Sequence, residues 1–155
     1  MTWFDLQRRG MLLAHAARIA ALSGLEDVAR KYLAEIDGQP GRWPQPAIRA
    51  VAAEAQTALC KPDDPDAFRL LNLARQLWTS AGSDYHAGRV RLLLASALLA
   101  AGDFSSARAE LRAALISAER IGSQRLANQI AETLAHLDTQ RSAKDQAAIR
   151  TVTAG

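Results

Sequence analysis

The stretch Gly88-Arg-Val-Arg-Leu-Leu-Leu-Ala-Ser-Ala-Leu-Leu-Ala-Ala-Gly-Asp-Phe-Ser-Ser-Ala-Arg-Ala-Glu-Leu-Arg-Ala-Ala-Leu115 reads as two helices broken at Gly102-Asp103. From Leu92 onward the first half is apolar nearly all round, so this helix, about Asp84 to Ala101, is expected to be the most enclosed element. Asp103 is placed to cap the second half. There Phe104, Ala107, Leu111, Ala114, Leu115, Ala118 and Ile121 recur at three and four residue steps and trace one buried face.

The same pattern extends in both directions. Trp3 to about Leu22 carries Trp3, Leu6, Leu13, Ala17 and Ala20 on one face and ends at Ser23-Gly24. Leu25, Val28, Ala29, Tyr32, Leu33 and Ile36 form the next stripe, backed by Glu26/Arg30 and Asp27/Lys31 at i,i+4. Asp37 to Pro46, with three prolines and two glycines, must be a loop, and Trp43 is expected to tuck back against the helices. A third helix runs from Ala47 to about Leu59. Lys61-Pro62-Asp63-Asp64-Pro65 stops it and starts a fourth, whose face is Ala67, Leu70, Leu71, Ala74, Leu77, Trp78 and Ala81. After Gly122-Ser123 a seventh helix carries Leu126, Ile130, Leu134 and Leu137. From Thr139 the apolar period fades, so residues 139–155 are expected to be a flexible tail behind a helical domain spanning 1–138.

Composition agrees with seven helices. Among 155 residues stand 33 Ala and 21 Leu but four Val, which favours helix and starves strands of β-branched residues. A length of 155 suits one domain with a single core. With 23% charged and 49% apolar residues and a mean hydropathy of -0.09, the chain is neither disordered nor membrane-spanning. Net charge is +3, resting on 16 Arg and three Lys, Lys31, Lys61 and Lys144. Arginines alternate with acids instead of gathering on a face, so direct nucleic-acid binding is not expected. A lone cysteine, Cys60, and a start through Trp3, Phe4 and Asp5 give no sign of an oxidising compartment or a signal peptide. The expected location is therefore the cytoplasm.

The breaks inside successive helix pairs fall at Gly24, Pro62, Gly102 and Ser142, spaced 38, 40 and 40 residues. Five residues after each stands an alanine: Ala29, Ala67, Ala107 and Ala147. Nine residues after the first three stand Leu33, Leu71 and Leu111. A helix crossing close to its partner needs a small residue at the crossing and a large one a turn later.

With Leu94, Ala95 and Leu98 on the first helix, Gly102, Asp103 and Phe104 at the turn, and Ala107, Leu111 and Ala114 on the second, the chain resembles the tetratricopeptide repeat family. Arg91 stands where that family prefers Trp, and Glu119 where it has Pro; the period is near 40 rather than about 34 residues. A narrower resemblance rests on Ala74-Arg75-Gln76-Leu77-Trp78, Gly82, Tyr85, Ala87, Arg89 and Arg91, then on through Leu115 to Glu119, Arg120, Ile121 and Gly122. It is similar to the repeat region of large bacterial LuxR-type regulators, signal-transduction ATPases and nucleotide-cyclase-linked proteins. That resemblance covers about Ala67 to Gly122, and none of those proteins' other modules has a counterpart here.

The resemblance implies an all-α, right-handed superhelix of antiparallel helix pairs. It further implies a non-enzymatic interaction module with a regulatory or scaffolding role in bacterial signalling or transcription control. In that family the second and ninth positions of each repeat line the concave surface. Here they are Met11 and Arg18, Arg49 and Gln56, Arg89 and Ser96, and Gln129 and His136. Stacked Arg18, Arg49 and Arg89 would suit a carboxylate, hence an acidic protein or peptide partner. Two alternatives stand beside it: a small-molecule effector sensor, and self-association through apolar faces of the terminal helices.

No constellation argues for catalysis, a metal or a cofactor. His15, His86 and His136 lack partners at ligand spacing, and His136 is expected to pair with Glu132 in solvent. Cys60 reads as a small buried filler. Trp78 lies on an apolar stripe and reads as core.

Overall fold

A computed structural model describes residues 2–38, 41–61 and 63–154. The break expected at Pro62 and the loop positions Gln39 and Pro40 lie outside the described residues. Among those described the chain is all helical, with seven helices and no strand: α1 (Trp3–Leu22), α2 (Glu26–Asp37), α3 (Pro46–Leu59), α4 (Pro65–Ser80), α5 (Asp84–Ala100), α6 (Phe104–Arg120) and α7 (Gln124–Thr153).

One turn design joins most of them. After α5 the Asp103 N–H donates to the Leu98 carbonyl at 2.9 Å and the Gly102 N–H to Leu99 at 3.0 Å. These two bonds satisfy helix-end carbonyls and require a left-handed residue, which Gly102 supplies at φ 81°. The same pair of bonds recurs at Gly24, Gly82 and Gly122. Asp103 then accepts from the Ser106 N–H at 3.0 Å, and Asp64 caps α4 by accepting from the Asp66 N–H at 2.9 Å.

The spaced alanines and leucines are core residues after each of the first three breaks. Ala29, Ala67, Ala107, Leu33, Leu71 and Leu111 are all buried. Ser142 is not a break and Ala147 is not a crossing. Both lie exposed within α7, where the Ser142 hydroxyl bonds back to the Asp138 carbonyl.

The expected boundary at 138 also needs correction, because α7 continues as helix to Thr153. Residues 139–153 contain good helix formers (Ala143, Lys144, Gln146, Ala147, Ala148) and neither Gly nor Pro, so helix persists where the apolar stripe has ended. No described residue beyond Leu137 is buried.

A second correction concerns enclosure. The most enclosed helix is α3, with Ile48 and every residue from Ala50 to Ala55 buried, because it is packed between α1 and α4. On α5, Leu93 stays 44% exposed and faces a groove.

Packing is not identical at each junction. α1 rests on both α2 and α3, whereas α5 rests on α4 and α6 and makes no backbone-level contact with α3. One core fills α1 to α5 and a second fills α5 to α7. Arginines stitch neighbours together: Arg9 to Glu35, Arg91 to Glu110 at 2.6 Å, Arg108 to Asp138 at 2.5 Å and Arg120 to Asp84 at 2.9 Å. Arg91, standing where the repeat family prefers Trp, thus ties α5 to α6 by charge.

Candidate functional site: a groove closed by a buried carboxylate

Glu54 is the one charged side chain among the described residues that is buried, at 5% exposure. Its position follows from α3 being enclosed, and its survival there follows from its partners, since a buried carboxylate must be paired. Arg18 of α1 donates from Nη1 to Oε2 at 3.1 Å. Arg89 of α5 donates from Nη2 to Oε1 at 2.8 Å and to Oε2 at 2.6 Å. The Trp78 indole N–H of α4 donates to Oε1 at 2.7 Å. One carboxylate therefore ties four helices, including α3 to α5, whose backbones make no close contact.

Two histidines border this cluster. His86 stacks on Trp78 with ring centres 4.2 Å apart, and His15 lies on α1 one turn before Arg18. Burial, and then the positive field of Arg89 and Arg18, hold His86 below the usual imidazole range against the opposing pull of Glu54. Burial and the same arginines depress His15. With folded values below the ordinary value of about 6.5, the unfolded chain takes up protons first on acidification. Stability contributed by the neutral rings is complete above about pH 6.5 and falls as pH drops through the window beneath it. The Tm of the wild type is therefore expected to decline from neutral to mildly acidic pH. His86→Gln should flatten that decline, and an equal slope in both proteins would refute this origin.

Arg18 and Arg89 form one end of a groove of about 580 Å³ between α1, α3, α4 and α5. Its walls are mainly apolar, with Leu22, Ala67, Leu71, Leu93 and Ala97 among them, and Lys61 and Cys60 stand on its border. The Cys60 thiol is pushed up by burial and by Asp64 and Asp66, which disfavours the thiolate a nucleophile needs.

The structure brings together only part of the expected set. Arg18, Arg89 and Ser96 line this groove. Arg49 does not join them: it is exposed and makes no ion pair or side-chain hydrogen bond. Gln56 opens onto a different cleft, bordered by α2 and α4, with its Nε2 3.4 Å from Asp37 Oδ2. Met11 packs against the core. Gln129 is exposed on α7, and so is His136, which meets Gln140 at 3.1 Å rather than Glu132. On α3 the side that reaches the groove carries Glu54, Thr57 and Ala58, with Arg49 and Gln56 elsewhere on the helix.

Glu54 was therefore the residue that position counting missed. Its signal was a single charge inside the otherwise apolar run Ala50-Val-Ala-Ala-Glu-Ala55. Trp78 is core as expected, yet also a donor to that charge.

No protein-family model matches the chain, and neither a curated protein nor a solved structure is similar to it. Among the described residues no helix is long and apolar enough to cross a membrane, and no group of three metal-ligating side chains is assembled.

Proposed function

We propose that this chain is a non-enzymatic, tetratricopeptide-like interaction module with a regulatory or scaffolding role, holding a partner protein or peptide in the groove between α1, α3, α4 and α5. The supporting observation is the convergence of Arg18 and Arg89, from separate helices, at one end of an apolar trough. A partner segment with apolar side chains and a carboxylate fits that division of chemistry.

Ser96→Trp fills the trough from an exposed position without touching Glu54. Immobilised wild type should capture a partner from the native cytoplasm that the Trp variant does not, and the purified pair should bind more weakly as salt rises. Equal capture by both forms would discard the groove as the binding surface.

A second reading, an effector-sensing domain, is favoured by one feature. The groove's two hydroxyl groups donate back onto their own helices and the rest of its walls are mainly apolar, which suits a small apolar effector.

A further inference from the structure

The polar atoms along the groove divide sharply into spent and available. Thr57 Oγ1 donates to the Ala53 carbonyl at 2.9 Å and Ser96 Oγ to the Leu92 carbonyl at 3.0 Å, each turned back onto its own helix. Glu54 accepts four hydrogen-bond contacts from three side chains, which fills a carboxylate's lone-pair sites. The guanidiniums are different. Each carries five N–H donors, yet Arg18 uses only Nη1 and Arg89 only Nη2 on Glu54. The Arg18 Nε has no partner but is shut off from solvent, so what a ligand can reach is the part of the two side chains that stays exposed, 27% for Arg18 and 26% for Arg89. Two cations against one anion leave this end of the groove with a net charge of +1.

The rest of the trough is mainly apolar, from Leu71 and Ala67 on α4 to Leu93 and Ala97 on α5, with Lys61 at its border. A peptide lying here must satisfy its own amide groups largely by itself, because few polar atoms line the trough. An alkyl chain has no such groups, and each buried methylene adds to binding. A volume of about 580 Å³ is within the range of sites that enclose small organic ligands. Charge complementarity then selects the headgroup, because a planar carboxylate takes two parallel N–H donors from a guanidinium.

We infer that the groove is a binding site for a small amphiphilic carboxylate, its alkyl chain along the Leu93–Ala97 wall and its head at Arg18 and Arg89. This deepens the effector-sensing reading and rests on it.

The test uses isothermal titration calorimetry of the full chain with three probes: decanoate, 1-decanol, and an N-acetylated hexapeptide ending in leucine with a free carboxyl group. Decanoate is expected to bind one per chain. Decanol should bind at least about tenfold more weakly, the loss expected for removing a charge-assisted hydrogen-bonded pair. The peptide should bind more weakly still. Leu93→Asp, a partly exposed position apart from the Glu54 cluster, should cut decanoate affinity at least about tenfold, because the alkyl chain would then lie against a carboxylate that it strips of water. Arg18→Gln should reduce it while leaving decanol unaffected.

Equal affinity for decanol and decanoate would overturn the headgroup assignment. Preference for the peptide would overturn the ligand class. An absence of heat from protein whose circular dichroism is native would overturn the site. Should decanoate fail while a partner is still captured by wild type and lost in Ser96→Trp, this inference falls and the interaction module stands. Should decanoate bind as described and no captured partner be lost in Ser96→Trp, the interaction reading falls alone.

Discussion

Replacing Glu54 with alanine will lower the unfolding free energy by about 2–4 kcal/mol, read as a fall in the urea midpoint at unchanged slope. The loss comes from what remains. The Trp78 N–H, inside the core, is left without an acceptor, and Arg18 and Arg89 repel each other across the space the carboxylate occupied. The expected loss sits below that for a fully buried pair, because Arg18 and Arg89 side chains are 27% and 26% exposed and can recover some hydration. A second variant separates charge from packing. Glu54→Leu combined with Arg18→Leu and Arg89→Met removes the whole network and substitutes apolar volume, so it should return to within about 1 kcal/mol of wild type. A single variant as stable as wild type would show that the cluster is decoration on the groove rather than its fastening.

Gly10→Ala should also destabilise, against the direction that helix propensity gives. On an open helix surface that change gains about 1 kcal/mol. At position 10 a Cβ would fall against the Trp43 ring, in steric overlap with Cε3, 2.8 Å from Cζ3 and 3.0 Å from the Ile48 Cδ1. The indole is rigid and 5% exposed, so it must be displaced as a unit. A net loss of about 1–3 kcal/mol follows, with a red shift of tryptophan emission as the ring gains water. Trp43→Ala should cost about 3–5 kcal/mol by opening a cavity between α1 and α3. In the double variant Gly10→Ala/Trp43→Ala the two losses should not add, because the second removes the obstacle to the first. Additive losses would mean that Gly10 and Trp43 are not in contact.

These two sites measure what pattern reading can reach. The helices lie close to where the periodicity of Leu and Ala placed them, since that periodicity is a local consequence of burying one face of a 3.6-residue turn. Trp43 in its proline loop could be expected to turn inward. That Gly10 is the surface it meets could not be read, because the contact spans 33 residues and depends on how α1 and α3 cross. Arg18 and Arg89 were legible as groove residues through their repeat positions. Arg49, Gln56, Gln129 and His136 were misplaced by the same counting, because position along the chain does not say which side of a packed helix faces the groove; on α3 that side carries Glu54, which reaches α1, α4 and α5. The tail was misread for a simpler reason: fading amphipathicity ends burial, but it does not end a helix built of Ala, Gln, Lys and Arg.

Composition and spacing alone determined an all-helical chain, its seven helices, its glycine turns and the alanines and leucines that are buried after each of the first three breaks. These are local properties, set by propensity and by which residues must leave water. Which arginines share a carboxylate, and that Glu54 on α3 bonds to a side chain of α5, was decided by tertiary structure. Those facts depend on the relative rotation of packed helices, and side-chain bonds between residues 35 and 36 positions apart leave no periodic trace in the sequence.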